Sequence, residues 1–191
     1  ALKIAPDLEP AGITAIADLL VTHGIDAVIA TNTTVTRDTV AHLPHGAEAG
    51  GLSGAPLTAQ ATNIVAQLAR ELSGAVTIIG GPHVTLFPAE TLEDCSVDYA
   101  MDGEGEYAFL EFLKAIEQGG SVENIDGMVY RKDGRIKANK IAIIKDLDEL
   151  PFPAAHLLPN KMYSLANGKS PFGSLVTSRG CPFTCNFCIR G

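Results

Sequence analysis

Short apolar runs alternate along the chain with segments whose apolar residues recur at helical spacing. The apolar runs predict strands at Leu2 to Ala5, Ala27 to Ala30, Val76 to Ile79 and Val97 to Met101. Helices are predicted around residues 13–21 and 64–72, ended by Gly24 and Gly74, and a third from about Glu104 to Gln118. This alternation is typical of βα units that build a parallel sheet.

The fold class expected from this pattern is α/β, with a doubly wound, flavodoxin-like or Rossmann-like parallel sheet of four or five strands. The sequence pattern of a βα unit is the same in an open sheet and in a closed barrel, so the first three units fit either architecture. The third helix is expected to turn one apolar set toward the sheet: Phe109, Leu110, Phe112, Leu113 and Ile116.

The pattern changes after the third helix. Two short β runs flank Asp133-Gly134, which predicts a hairpin. The acidic and proline-containing segment from Asp146 to Pro153 predicts an extended linker, and a last strand is expected at about Phe172 to Thr177.

Composition narrows the classes of partner. The 191 residues are 46% hydrophobic and carry a net charge of -8, with no basic run that would follow a phosphate backbone, so nucleic acid is not expected as a partner. No apolar stretch approaches the roughly 20 residues that span a bilayer, and a cytoplasmic protein is expected. The chain starts without Met and directly in a predicted strand, so both ends are expected to be cuts through a longer polypeptide.

Three of the four cysteines stand close together near the end of the chain. Cys181, Cys185 and Cys188 form a C-x3-C-x2-C motif, whose spacing lets one loop place three thiolates around one inorganic cluster. The alternatives are a zinc loop that lacks its fourth ligand, or three unrelated cysteines. A reducing compartment fits this usage, and the lone Cys95 is interpreted as a small packed residue.

With its flank Thr177-Ser178-Arg179-Gly180-Cys181-Pro182, the motif resembles the signature of the radical S-adenosylmethionine enzymes. The resemblance implies that the three cysteines hold a [4Fe-4S] cluster whose open iron binds S-adenosylmethionine, with Phe187 beside the adenine. It also implies that the last strand opens that family's barrel, and that the cluster cleaves S-adenosylmethionine reductively to methionine and a 5′-deoxyadenosyl radical.

Residues from about 79 to 191 resemble the cobalamin-binding subclass of that family. The resemblance rests on four segments: Gly80-Gly81-Pro82-His83-Val84-Thr85, Pro88 to Leu92, Asp102-Gly103-Glu104-Gly105-Glu106, and Leu147 to Pro153. It implies that cobalamin lies over the carboxyl edge of the sheet, beside Gly80, Gly81, Pro82, His83, Gly103, Glu104 and Gly105. The alternatives are that the glycines form tight βα turns and that His83 is a turn or pocket-wall residue.

The first part of the chain resembles a different family, the quinone-dependent (class 2) dihydroorotate dehydrogenases, which are flavin-containing (β/α)8 barrels. The resemblance rests on three segments: Lys3 to Leu8, Ala30-Thr31-Asn32-Thr33-Thr34 and Gly50 to Leu57. The resemblance implies that Lys3, Thr31 and Gly54 contact flavin mononucleotide (FMN), and that Asn32 and Thr33 bind orotate. The alternative is a solvated lysine and a polar cap and turn.

The sequence therefore predicts a chimera joined near residues 68–80. Its expected parts are dehydrogenase-like βα units at 1–78, a B12-binding-like portion with the hairpin at 79–144, a linker at 145–170, and the start of a radical enzyme domain at 171–191. The leading function is the amino-terminal portion of a cobalamin-binding radical S-adenosylmethionine enzyme, inactive alone and with unknown substrate. The alternatives are a dihydroorotate dehydrogenase fragment and a non-catalytic α/β module; the expected partners are small-molecule cofactors.

Overall fold

The computed structural model describes residues 1–93, 97–157, 176–181 and 183. The chain forms two compact units, which divide between Thr77 and Ile78. We call residues 1–77 the first unit and the residues from 78 onward the second unit.

The first unit consists of two βα units. Strand β1 (Leu2–Ile4) pairs in parallel with β2 (Val28–Ala30), and the helices are α1 (Pro10–Thr22) and α2 (Ala55–Glu71). The helices pack on one face of the strand pair through a core of four buried aliphatic residues: Ile4, Ile13, Ile64 and Leu68. This packing explains the helical spacing of apolar residues in the sequence.

The second unit contains a mixed four-stranded sheet in the order β3-β4-β5-β6. Its strands are β3 (Ile78–Gly80), β4 (Tyr99–Met101), β5 (Met128–Lys132) and β6 (Arg135–Ala138). Strands β3 and β4 are parallel, whereas β5 is antiparallel to both of its neighbours. Helices α3 (Pro82–Leu86) and α4 (Gly105–Glu117) follow β3 and β4, and short 3-10 turns occupy Glu90–Leu92, Leu147–Glu149 and Ala155–Leu157.

The central strands of this sheet are buried on both faces. Met101 and its register partner Met128 face α4 and Phe112, whereas Ala100 and Val129 face Val84 and Leu92 on the other side. Successive side chains of a strand point to opposite faces, so each strand supplies both cores.

The predicted hairpin is confirmed. Asp133 (φ 52°) and Gly134 (φ 71°) both adopt the left-handed conformation that a two-residue type I′ turn requires, between β5 and β6. The predicted βα order is also confirmed for the four strands and three main helices, with ends that differ by a few residues.

Two expectations were wrong. The single parallel sheet of four or five strands is replaced by two sheets, one formed by β1 and β2 and one by β3 to β6. The second sheet is mixed, because the hairpin strand β5 lies antiparallel beside β4, where a further parallel strand was expected. In α4, only Phe112 of the predicted apolar set is fully buried, and Phe109, Leu110 and Leu113 are exposed. The predicted last strand, at about Phe172 to Thr177, lies outside the described residues except for Val176 and Thr177, so it stays a prediction.

In the part of the chain that the structure describes, every helix is too short or too polar to cross a membrane.

Candidate functional site

The first candidate site lies where β1 and β2 end in the first unit. The Asn32 N–H donates to Ile4 O (2.9 Å), which joins the two strand ends. Thr34 and Leu52 exchange two backbone hydrogen bonds of 3.0 and 2.8 Å, which bring the Gly50-to-Gly54 segment beside the loop after β2.

Asp7 fastens the two strand ends together. Its carboxylate accepts hydrogen bonds from the hydroxyl of Thr34, which is 2% exposed, and from the Val35 N–H (3.1 Å). The Thr34 hydrogen bond is the main reason why the pKa of Asp7 lies below its usual value; slight desolvation of the carboxylate opposes this shift and the Val35 N–H adds to it. Neither Asp7 nor Thr34 was predicted to be functional from the sequence, although Asp7 lies within the dehydrogenase-like segment Lys3 to Leu8.

The residues predicted for FMN and orotate are placed at this edge or on the strand leading to it. Thr31 is half-buried, whereas Asn32, Thr33 and Gly54 are exposed, and Gly54 precedes the first turn of α2 with a φ of 79°. Lys3 is exposed and paired in register with Ile29, on the strand face opposite the buried Ile4. The Thr34 and Leu52 pairing therefore brings Thr31, Asn32, Thr33 and Gly54 into one loop cluster.

The second candidate site is the carboxyl edge of β3 and β4 in the second unit. Because Gly80 pairs in register with Met101, the loops that begin at Gly81 and at Asp102 leave the sheet side by side. Of the residues predicted there, Gly80, Gly81, Pro82, His83 and Gly103 are exposed, and Glu104 and Gly105 are half-buried. The His83 ring contacts the Phe87 ring (centroids 5.4 Å apart), which fits the pocket-wall interpretation.

The glycines of this edge have different surroundings. A Cβ on Gly103 would lie 2.2 Å from Ala142 O, because the 141–144 segment pairs with the loop after β4. A Cβ on Gly81, whose φ is 102°, would meet no heavy atom of the described residues within 4 Å. Packing therefore accounts for Gly103, whereas the backbone at Gly81 is open to an incoming group.

Asp102, at the same edge, has a carboxylate oxygen without a hydrogen-bond partner among the described residues. Its backbone is fully engaged: the N–H donates to Gly127 O (2.8 Å) and its carbonyl accepts from the Ala142 N–H (3.2 Å). Its Oδ1 is buried, however, and has no hydrogen-bond partner among the described residues. A buried polar atom without a partner is unfavourable, so this oxygen fits a ligand or water that donates a hydrogen bond.

Two glutamates, one at the end of the loop after β4 and one in the first turn of α4, bind an arginine that lies two residues before the cysteine motif. Arg179 Nη1 is 3.3 Å from Glu104 Oε1, and Arg179 Nη2 donates to Glu106 Oε1. The other Glu104 oxygen accepts the Ile144 N–H at 2.5 Å. The hydrogen bond from Arg179 lowers the pKa of Glu106 and raises that of Arg179. Sequence reasoning quoted both segments but did not connect them.

A solvent-open cleft of about 430 Å³ lies beside this contact. Among the described residues, its charged lining consists of five acidic side chains and the basic Lys145; the acidic ones are Glu104, Glu111, Asp126, Asp146 and Glu149. Such a lining disfavours phosphate and other anions.

Of the predicted cluster ligands, Cys181 is exposed, and Cys185, Cys188 and Phe187 lie outside the described residues, as does Cys95. Within those described residues, no three His, Cys, Asp or Glu side chains are grouped so as to hold a metal ion. The donor set itself, three thiols in eight residues, has the chemistry that an iron–sulfur cluster needs.

Comparison with known proteins finds two different similarities. A sequence model of the dihydroorotate dehydrogenase family matches residues 1–84. A quinone-type dihydroorotate dehydrogenase of Nitrosomonas eutropha is 64% identical over 80 residues, which are 42% of this chain and 23% of that protein.

The second similarity is to a methyltransferase of Pyrococcus horikoshii, described as uncharacterized. It is 39% identical over 127 residues, which are 65% of this chain and 27% of that protein. An alignment of 127 residues extends well past residue 84, where the match to the dehydrogenase model ends.

Among solved structures, the radical S-adenosylmethionine methyltransferase TsrM of Kitasatospora setae, with cobalamin and a [4Fe-4S] cluster bound, superposes with a TM-score of 0.43. It is 16% identical and aligns with 76% of this chain and 29% of TsrM. The chain spans about a quarter of the length of the curated relatives it matches. The predicted double resemblance is thus confirmed: the chain combines a dihydroorotate dehydrogenase-like region with a methyltransferase-like region.

Proposed function

We propose that the second unit is the amino-terminal portion of a cobalamin-binding radical S-adenosylmethionine enzyme. The observation that carries this proposal is the C-x3-C-x2-C motif in a chain that is 39% identical over 127 residues to a methyltransferase. In this proposal residues 79–144 form the B12-binding-like portion, 145–170 the linker and 171–191 the start of the radical enzyme domain.

Each proposed role falls on residues of this chain. Cys181, Cys185 and Cys188 would hold the [4Fe-4S] cluster, and Phe187 would lie against S-adenosylmethionine. When bound, the cluster supplies the electron for reductive cleavage of S-adenosylmethionine. Because the protein supplies three ligands, one iron of the cluster would remain open to bind S-adenosylmethionine.

The carboxyl edge of β3 and β4 is the proposed cobalamin site. Gly81 leaves open space beside its backbone, and the unpartnered Asp102 Oδ1 would be free to accept a hydrogen bond from a donor group of bound cobalamin. Gly80, Pro82 and His83 line the first loop, and Glu104 and Gly105 the second. Gly103 also lies at this edge, where it packs against Ala142.

The cluster assignment is tested by anaerobic reconstitution with iron and sulfide. The full chain is expected to gain visible absorption and a reduced-state paramagnetic resonance signal that changes when S-adenosylmethionine is added. Replacing Cys185 by Ala should abolish both, while Cys95→Ala serves as the matched control and should leave them unchanged. Retention of about four irons per chain in the Cys185→Ala variant would rule out the ligand set.

The cobalamin assignment is tested separately by titration with hydroxocobalamin. Gly81→Ala and Asp102→Asn are expected to weaken binding, because the first fills open space and the second changes the hydrogen-bonding capacity of the unpartnered carboxylate. Gly134→Ala is the control, since its φ is also positive (71°) but it lies in the hairpin turn. Equal affinities in all three variants would refute the site.

The similarity of residues 1–84 to dihydroorotate dehydrogenases favours a second candidate function for the first unit. We propose that the loop cluster of Thr31, Asn32, Thr33 and Gly54 is an FMN and orotate site derived from such an enzyme, with Lys3 beside the flavin. Bound FMN would supply hydride transfer in the oxidation of dihydroorotate. Equilibrium dialysis with FMN tests this: Thr31→Val should lower the affinity for FMN, and absence of FMN binding by the full chain would leave the first unit without this role.

A further inference from the structure

Arg179 links two distant segments of the second unit. It joins two segments that are more than seventy residues apart in sequence, the loop after β4 and the residues that enter the cysteine motif. The described residues from Val176 to Cys181 are exposed and belong to no strand or helix. Arg179 connects this segment to the rest of the unit through its ion pairs with Glu104 and Glu106.

The acceptors of this contact are held rigidly. Glu104 precedes the first turn of α4, its N–H donates to Ala142 O (2.8 Å), and its second carboxylate oxygen accepts the Ile144 N–H. Glu106 lies in the first turn of α4, where a negative charge is favourable. The guanidinium therefore binds two carboxylates whose positions are fixed by the sheet edge and the helix.

The geometry suits an arginine better than a lysine. Two different nitrogens of the planar guanidinium reach two different carboxylates, which a single ammonium group does less well. All three side chains are partly shielded from solvent, with exposed fractions of 34% for Arg179, 23% for Glu104 and 41% for Glu106. A shared network of this kind exceeds the usual contribution of one exposed ion pair.

We propose that Arg179 is a positioning residue, which holds the residues before the cysteine motif against Glu104 and Glu106. We call this set of ion pairs the clamp. Because the loop after β4 forms the carboxyl edge of the sheet, the clamp sets the place of Cys181 relative to the proposed cobalamin edge. The identity of what the cysteines hold rests on the proposed function; the clamp itself does not.

The experiment compares amide hydrogen exchange of the full chain with that of the variants Arg179→Gln, Glu106→Gln and their double variant. Each single change should speed exchange in residues 176–181 by about fivefold, the effect of losing one good ion pair. The double variant should add little to either single change, because both remove the same interaction. Arg135→Gln and Glu117→Gln, which alter exposed residues of β6 and α4, are the matched controls and should not change exchange there.

Two further variants separate positioning from general stability. Arg179→Lys should restore part of the protection, and the charge exchange Arg179→Glu with Glu106→Arg should restore more than either change alone. In reconstituted chains, iron loss to a chelator should be faster in Arg179→Gln by about the same factor as amide exchange. Unchanged exchange in Arg179→Gln, or fully additive effects in the double variant, would overturn the clamp.

The outcomes distinguish the two proposals. A chain that shows the expected exchange pattern but takes up no iron supports the clamp and refutes the proposed function. A chain that takes up iron but exchanges equally fast with and without Arg179 refutes the clamp and leaves the cluster assignment standing.

Discussion

The contrast between two glycines at the same sheet edge gives a sharp prediction. Gly103 and Gly81 have similar positive φ values, 96° and 102°, so replacement by Ala strains the backbone at both. Such strain costs about 1–3 kcal/mol. Only at Gly103 does the added Cβ also collide, at 2.2 Å from Ala142 O and 2.8 Å from Ile141 Cγ1.

The collision at Gly103 is hard to relieve, because the obstacle is backbone. Ala142 accepts from the Glu104 N–H (2.8 Å) and donates to Asp102 O (3.2 Å), so a shift of the 141–144 segment breaks both hydrogen bonds. Overpacking adds about 1–3 kcal/mol. Gly103→Ala should therefore lower the free energy of unfolding of the second unit by about 1–3 kcal/mol more than Gly81→Ala does.

Urea unfolding followed by tyrosine fluorescence measures this difference for the second unit alone. All four tyrosines of the chain come after residue 77, and the chain has no tryptophan. With an m-value of about 1–2 kcal/mol/M, the two midpoints should differ by about 1 M. Equal losses of stability in the two variants would refute the conclusion that packing on Ala142 is the reason for glycine at position 103.

Two further predictions concern the core and the pH dependence. Phe112→Ala should lower the free energy of unfolding by about 3–5 kcal/mol because its ring is 3% exposed, whereas Phe109→Ala should cost less than about 1 kcal/mol; comparable urea midpoints would contradict this. Asp7 has a lowered pKa, so its stabilising contribution is complete above its unfolded value of about 3.9 and is lost as the pH falls through its folded value. Thr34→Val should raise the Asp7 pKa in an NMR titration, and an unchanged pKa would contradict the contact.

Local patterns in the sequence were enough to predict most secondary structure. Helical spacing of apolar residues located α1, α2 and α4, and the Asp133-Gly134 pair located the hairpin, because both signals depend on neighbours within a few residues. The change of resemblance near residue 79 was equally visible, because sequence identity needs no structure.

Only the tertiary structure decided how these elements combine. Strand pairing joins residues far apart in sequence, so no local pattern indicated that β1 and β2 form a sheet of their own or that β5 lies antiparallel beside β4. The exposure of Phe109 and Leu110 likewise depends on which elements cover α4.

The candidate sites show the same division. Residue types and spacing identified the cysteine motif and the glycine loops, because their chemistry is local. The reasons for individual residues were not local: Gly103 is explained by Ala142, Asp7 by Thr34, and Arg179 by Glu104 and Glu106. Each of these partners is brought into contact by chain folding over tens of residues, and the sequence by itself does not specify those distances.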